Sequence, residues 1–114
     1  MSDSKNQPEH ANKAQQDPDV MILDLHNAKF PMGRLVATPR ALHAVLNCEI
    51  SAAVNRHLAG DWGEVGKEDR AENNHSLKHG FRLFSVYRTE SGEKFWIITE
   101  ADRSATTVLL PEEY

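Results

Sequence analysis

A chain of 114 residues with a net charge of −4 has room for one domain with a modest core. No run of Lys or Arg forms a basic stripe that could neutralise many phosphates, so the composition disfavours nonspecific binding to duplex DNA. The acidic excess is small and contains no block of like charges, which leaves a protein or an RNA partner open.

Cysteine usage and hydropathy predict a cytoplasmic protein. Cys48 is the single cysteine and cannot form an internal disulfide, and no basic start followed by an apolar segment indicates export. No apolar run approaches the roughly 20 residues that cross a bilayer, so we expect no membrane association. The oligomeric state is left open by these features.

The N-terminal segment, residues 1–19, contains no large apolar residue after Met1 and is rich in Gln, Asn, Asp, Lys and Pro. Such a segment buries too little apolar surface to offset the entropy of ordering it. It is predicted to be a disordered tail, and residues 20–114 are predicted to form a single domain.

Helical signals occupy the first half of this domain, after short β-compatible runs at residues 20–25 and 34–38. Thr38 and Pro39 are a typical helix start, and an apolar stripe at three- and four-residue spacing continues to Gly60. Residues 47–49 favour a short break in this stripe, although one long helix also fits. A polar, largely exposed helix is predicted at residues 67–79, before Gly80.

In the second half of the domain the spacing of the apolar residues changes from the helical period to the alternation typical of β-strands. The runs "FRLFSVYRT", "KFWIIT" and "TTVLL" are separated by turn-forming residues and predict three consecutive antiparallel strands. The predicted fold class is therefore α+β, with two or three helices packed on one face of an antiparallel sheet whose C-terminal part is a three-stranded meander.

Two features are candidates for a functional site. His57 stands where the helical stripe calls for an apolar residue, and a partly buried histidine suits either acid–base chemistry or a hydrogen-bonded core edge. The polar insert at residues 100–105 forms a predicted hairpin loop, which could equally be a plain turn. We expect a binding surface formed by the following residues: Arg82, Arg88, Asp102, Arg103, Ser104 and Thr106.

Metal and cofactor sites are not predicted. His75 and His79 lie one helical turn apart, but the glutamate of a metalloprotease signature is missing, so two surface histidines near a helix end are expected. Cys48 has no nucleophile signature around it and is expected to be buried and inert. The chain also lacks the glycine-rich phosphate and dinucleotide motifs.

Five segments, "ATPRAL", "RHLAGDWGE", "EDRAEN", "GFRLFSVY" and "WIITEADRSATTVLLPEEY", resemble a family of small proteins encoded on plasmids, phages and other mobile elements. The resemblance covers residues 30–114. It implies an accessory protein of a mobile element, acting as a small macromolecule-binding module in host interaction or anti-defence.

A second resemblance is topological and implies an enzyme. Helices bearing a histidine, followed by a three-stranded meander carrying Arg, Ser and Thr, look like the metal-independent ribonucleases of the barnase and RelE type. Under that alternative His57 and Arg103 would be the catalytic residues, as proton-transfer group and phosphate-binding cation. The residues leave both a binding protein and an enzyme open, and the charge favours the binding protein.

Overall fold

The computed structural model of the protein describes residues 21–114, and the tail predicted at residues 1–19 lies outside the described residues. The described chain forms four strands and three α-helices, together with two 3-10 helices, Leu25–Asn27 and Pro111–Glu113. The strands are β1 (Arg34–Ala37), β2 (Leu83–Arg88), β3 (Lys94–Thr99) and β4 (Ala105–Leu109), and the α-helices are α1 (Pro39–Ala44), α2 (Asn47–Leu58) and α3 (Lys67–His79).

The four strands form one sheet in the order β1-β4-β3-β2. Strands β2, β3 and β4 are the predicted antiparallel meander, and β1 pairs with β4 in parallel. The α+β class and the C-terminal meander are therefore confirmed, and β1 makes the sheet mixed. The parallel pairing requires a long crossover, which α1, α2 and α3 supply together with β2 and β3.

The helix boundaries follow the capping residues. The Thr38 hydroxyl accepts from the Ala41 amide at the start of α1, as predicted. The predicted break in the apolar stripe exists, but it lies at Val45 and Leu46, whose backbones are extended, and not at residues 47–49, which form the first turn of α2. The end of α3 at Gly80 is also confirmed, with the glycine in the left-handed conformation.

A strand was predicted at residues 20–25. Residues 21–25, which the structure describes, do not form a strand, so the prediction is wrong for these residues. Its backbone pairs with a helix side chain instead of a strand. The Asn55 amide of α2 accepts from the Asp24 amide at 2.8 Å and donates to the Ile22 carbonyl at 2.9 Å. One side-chain amide thereby satisfies the two backbone groups that a neighbouring strand would otherwise engage.

The core lies between α2 and one face of the sheet, called the inner face below. Ile50, Val54 and Leu58 of α2 are fully buried there. Inner-face residues alternate along the strands with outer-face residues. On β2, β3 and β4 the inner face consists of Leu83, Ser85, Tyr87, Phe95, Ile97, Thr99, Thr106 and Val108, all of them buried, and on β1 it continues with the half-buried Leu35 and Ala37.

The free edge of β2 is closed by α3 and the segment before it. The Asn73 side chain donates to the Phe84 carbonyl at 2.6 Å and accepts from the Phe84 amide at 3.0 Å. Two positions along, the Val86 amide donates to the Trp62 carbonyl and the Glu64 amide donates to the Val86 carbonyl. This edge is therefore blocked against pairing with another chain.

Gly63 allows this close approach, and we expect Gly63→Ala to destabilise the fold by more than about 2 kcal/mol. Its φ is 74°, and an added Cβ would overlap the Val86 carbonyl oxygen. Gly66 is the matched control, because its φ is −72° and nothing lies within 4 Å of a Cβ there. Gly66→Ala should cost less than about 1 kcal/mol. Urea unfolding of both variants checks this, and equal losses would contradict the close packing at Gly63.

Candidate functional site

His57 lies in the centre of the core, on the side of α2 that faces the sheet, and is 0% exposed. Its ring packs edge-on against Phe30 and Trp62, at centroid distances of 5.4 and 5.6 Å. Its Nδ1 lies 2.6 Å from Ser85 Oγ, and its Nε2 lies 2.9 Å from Thr99 Oγ1. Both ring nitrogens are thus engaged by residues of the inner face.

The hydrogen bonds of His57 belong to a longer buried chain. Thr99 Oγ1 lies 2.7 Å from Thr106 Oγ1, which in turn donates to the Met32 carbonyl at 2.7 Å. The carbonyl can only accept, so Thr106 donates to it and accepts from the Thr99 hydroxyl. Thr99 must then accept from His57 Nε2–H.

The tautomer of His57 also determines the direction of its hydrogen bond with Ser85. A neutral imidazole with its proton on Nε2 presents an unprotonated Nδ1, which accepts from the Ser85 hydroxyl. Every side-chain group of the chain then has a partner, and no buried side-chain nitrogen or oxygen among the described residues lacks one. This buried hydrogen-bond chain, defined as Ser85, His57, Thr99 and Thr106, joins α2 to β2, β3 and β4.

His57 stays neutral at physiological pH. Burial first, and the positive charge of Arg103 second, lower its pKa to about 3 from an ordinary value of 6.5. A group with this pKa and no exposed surface is poorly suited to exchange protons with a substrate. The arrangement gives His57 a structural role in the fold.

The low pKa of His57 predicts a loss of stability in mild acid. The unfolded chain binds a proton with a pKa near 6.5, and the folded chain does so near 3, so stability is full above pH 6.5 and falls as the pH drops through that value. The loss at pH 5 is about 2 kcal/mol. Urea unfolding at pH 7.5 and pH 5 measures it.

The control for this pH effect is His57→Gln, which removes the titrating ring. Its free energy of unfolding should change less than that of the native chain between the two pH values. Carboxylates whose pKa is lowered by the fold, such as Asp61 and Asp102, lose their contribution only at lower pH, near and below their ordinary values. Equal acid sensitivity of both chains would show that His57 does not titrate in this way.

Arg103 binds backbone carbonyls with its guanidinium. Its Nη1 donates to the carbonyl oxygens of Phe81 at 2.7 Å, Glu100 at 3.1 Å and Ala101 at 3.1 Å. Its Nη2 donates to the Ser76 carbonyl at 3.1 Å, near the end of α3. The side chain therefore ties the hairpin loop to the α3–β2 connection.

The backbone of Arg103 is also constrained. Its φ is 61°, the one positive φ of a non-glycine residue among the residues described. Gly33 packs directly against the backbone of Arg103 and Ser104, and the Arg34 amide donates to the Ser104 carbonyl at 3.0 Å. The loop tip is thus held from two sides.

His57 and Arg103 approach each other through one aromatic ring. The guanidinium carbon of Arg103 lies 5.6 Å from the centroid of Phe30, whose ring also contacts His57. The two predicted catalytic residues are therefore neighbours, but their polar atoms are bonded to the protein and not directed at a common open space. Burial lowers the pKa of Arg103, and the charge of this cation lowers that of His57.

The other residues of the polar insert have different environments. Asp102 is exposed and accepts from the Ser104 amide at 2.9 Å, which closes a local turn at the loop tip. The Ser104 hydroxyl and amide lower the pKa of Asp102. Thr106, predicted as a binding residue, is 0% exposed and belongs to the buried hydrogen-bond chain.

Arg82 and Arg88 lie near the two ends of β2, with their side chains exposed and already paired. Arg82 donates to the Tyr114 hydroxyl at 2.6 Å and lies 3.5 Å from Glu100. Arg88 pairs with Glu64 at 3.2 Å. The predicted binding residues are thus distributed over the loop tip, the core and two distant points of the sheet.

A cleft of about 210 Å³ lies on the opposite, outer face of the sheet. It is lined by Arg82, Phe84, Trp96, Ile98 and Tyr114, and no α-helix contributes to its lining. Phe84 and Tyr114 pack edge-on against Trp96, at centroid distances of 4.9 and 5.5 Å. Ile98 and Leu109 are buried on this face, outside the main core cluster.

The strand register arranges the outer face in rows across the sheet. The two middle rows are apolar apart from Thr107, and they contain Val36, Thr107, Ile98 and Phe84, then Leu109, Trp96 and Val86. The flanking rows carry charges, with Arg34, Glu100 and Arg82 at one end and Lys94 and Arg88 at the other. Cations exceed acids on this face by four to one, although the whole chain is acidic.

Alternation along β3 is enough to place Trp96 and Ile98 on one face of the sheet, but it does not reveal the cleft. The sequence does not predict where Tyr114 lies, because its position depends on how the chain turns after β4. Ser85 and Thr99 were detectable as hydroxyl residues at inner positions, where an unpaired polar group would be costly.

Within residues 21–114 the structure shows neither a cluster of three metal-binding side chains nor a helix suited to crossing a membrane. No three His, Cys, Asp or Glu side chains of this part come together in a way that could hold a metal ion. No helix of the same part has the length and apolar character that crossing a membrane requires. Cys48 is half-buried with a free thiol.

Comparisons with family models, with curated proteins and with solved structures found no match to this chain. The resemblance to mobile-element proteins therefore stays a prediction, and so does the topological resemblance to ribonucleases. Any functional assignment depends on the residues themselves.

Proposed function

We propose that the protein is a small macromolecule-binding accessory module of a mobile element, serving host interaction or anti-defence, and that it binds a protein partner through the outer face of its sheet. The supporting observation is the aromatic cleft of Phe84, Trp96, Ile98 and Tyr114, bordered by Arg82. Trp, Tyr and Arg are the residues that most often dominate protein interfaces.

The cleft has the form expected of an interface centre. Trp96 and Phe84 are half-buried, and Tyr114 is 69% exposed, so a partner could cover further aromatic surface on all three. Apolar burial at about 25 cal/mol per Å² makes such residues strong anchors for a side chain inserted between them. The cationic flanking rows would attract acidic side chains around that anchor.

The charges favour a protein partner over nucleic acid. Of the four cations in the flanking rows, Arg82 and Arg88 are already paired with Glu100 and Glu64. The other two, Arg34 and Lys94, are too few to neutralise a run of phosphates but are enough for the one or two carboxylates of a short acidic segment. The rings of the cleft also meet edge to face, with interplanar angles of 90° and 61°, and form no parallel slot for a stacked base. An acidic peptide with one large apolar residue suits the surface better.

The two tryptophans allow a direct test by NMR. The Trp62 indole is buried and donates to Asn74 at 3.0 Å, whereas Trp96 borders the cleft. The ¹⁵N-labelled protein would be titrated with pooled acidic peptides that each carry one Leu or Phe, with the same peptides bearing Lys in place of Asp and Glu, and with oligouridine. We expect the acidic pool to shift the indole N–H signal of Trp96 and leave that of Trp62 unchanged.

Two variants with one cation removed sharpen the test. Arg82→Ala should weaken binding of the acidic peptides about tenfold, because Arg82 borders the cleft. Arg40→Ala is the matched control, because Arg40 is also exposed and paired with a glutamate, Glu112, but does not line the cleft, and this variant should bind as the native chain does. A Trp96 shift with oligouridine alone would replace the protein partner by nucleic acid, and no shift with any probe would overturn the proposal.

The ribonuclease alternative remains a prediction with its own test. Incubation of the purified protein with RNA in EDTA should give no cleavage, because the nitrogens of His57 and the guanidinium of Arg103 are engaged within the fold. Cleavage that is lost in both His57→Gln and Arg103→Lys, with both variants still folded, would restore the enzyme alternative.

A further inference from the structure

Two histidines face each other on the exposed side of α3. His75 and His79 are one helical turn apart, and their ring centroids are separated by 4.4 Å with an interplanar angle of 37°. Both residues are exposed, and neither forms a hydrogen bond or an ion pair with another residue in the described range. Within residues 21–114, the ring nitrogens of both histidines have no hydrogen-bond partner that would compete with a ligand.

The separation of the rings matches a chelate. Two imidazoles that bind one ion with metal–nitrogen bonds of about 2.1 Å have ring centroids about 4.5 Å apart at an angle of 90° and about 5.3 Å apart at the tetrahedral angle. The observed centroid separation of 4.4 Å is close to the first of these values, so both rings lie within reach of one ion once a nitrogen of each is turned towards it. The sequence pattern alone could not reveal this, because it specifies the helix face but not the side-chain rotamers.

The surroundings of the pair also suit a cation. Phe81 stacks on His75 with a centroid distance of 5.8 Å and an interplanar angle of 21°, which limits the rotation of that ring. Both histidines lie in the last two turns of α3, where the helix dipole favours positive charge. Ser76, between the two histidines in the sequence, is buried, and its carbonyl accepts from Arg103 and not from either imidazole.

We propose that His75 and His79 chelate one divalent transition-metal ion of the zinc or nickel class. Imidazole nitrogen is a preferred ligand for both ions. Two protein ligands leave the other coordination positions to water or to a side chain of a bound partner. The site shares no residue with the outer-face cleft, so it stands independently of the proposed binding surface.

The test uses the untagged full chain, titrated with ZnCl₂ or NiCl₂ and followed by isothermal calorimetry and by the melting temperature. We expect one ion per chain with a Kd in the micromolar range and a rise in Tm of about 3 °C at saturation. His75→Ala and His79→Ala should each weaken binding at least tenfold. His43→Ala is the control, because His43 is exposed on α1 and should leave binding unchanged.

Two outcomes would contradict the proposed chelate. Binding weaker than millimolar in the native chain would overturn it, and so would native affinity in either His75→Ala or His79→Ala. Both substitutions lie on an exposed helix surface, where alanine is well tolerated, so loss of folding would not obscure the result.

Discussion

Replacing His57 with alanine should lower the free energy of unfolding by about 3 to 5 kcal/mol. The substitution leaves a cavity between Phe30 and Trp62. It also removes the imidazole partner of the buried Ser85 hydroxyl and one of the two hydrogen bonds of the buried Thr99 hydroxyl. Domains of this size have a total stability of about 5 to 15 kcal/mol, so a large part of the fold's stability would be lost.

Chemical denaturation of three variants separates the causes. Thr99→Val keeps the shape of the side chain but removes the acceptor for His57 Nε2–H, and it should cost about 1 to 3 kcal/mol. His43→Ala, on an exposed surface of α1, should change stability by less than about 0.5 kcal/mol. A cost below about 1 kcal/mol for His57→Ala would mean that the buried hydrogen-bond chain does not support the fold.

Arg103→Ala should be the second large loss, about 2 to 4 kcal/mol. The guanidinium donates to four backbone carbonyls of the hairpin loop and the α3–β2 connection, and a neutral methyl group satisfies none of them. Arg103→Lys should recover only part of the loss, because an ammonium group lacks the planar fork that spans these acceptors. Thermal melts and urea unfolding measure both variants.

Two controls separate the side chain from the backbone at Arg103. Arg103→Gly should be about 1 kcal/mol less costly than Arg103→Ala, because glycine adopts a φ of 61° without strain. Asp102→Ala, next to it at the exposed loop tip, should cost less than about 1 kcal/mol. If Asp102→Ala were as damaging as Arg103→Ala, the loop itself and not the guanidinium would hold this region.

Local patterns predicted the elements of the fold, and long-range contacts determined the rest. Thr38 and Gly80 set helix ends through capping, and alternation placed β2, β3 and β4, all of which depend on a few neighbouring residues. The parallel pairing of β1 with β4 joins the two ends of the domain, so no local pattern contains it. The Asn55 amide that replaced a strand partner for residues 22–24 is a similar long-range contact.

The candidate site shows the same division. The helical stripe correctly marked His57 as an inward-facing residue, but only the sheet supplies the Ser85 and Thr99 hydroxyls that engage its nitrogens. Asp102, Arg103 and Ser104 looked like one polar cluster in the sequence. In the structure Asp102 and Ser104 close the loop tip, whereas the guanidinium of Arg103 turns towards the backbone of Phe81 and Ser76.

The two faces of the sheet have different roles: the inner face stabilises the fold, and the outer face is the proposed binding surface. The inner face uses its polar residues to join α2 to the sheet, and the outer face carries aromatic residues that no α-helix lines. A partner would therefore bind without disturbing His57. This separation requires that His57 is a neutral residue, hydrogen-bonded within the core, and not a proton-transfer group.

The protonation of His57 can be measured directly by ¹⁵N NMR of the imidazole nitrogens between pH 7.5 and pH 4.5. We expect a neutral ring at every pH in this range, with the proton on Nε2 and an unprotonated Nδ1. A titration midpoint near 6.5, or a proton on Nδ1 in the neutral ring, would contradict it.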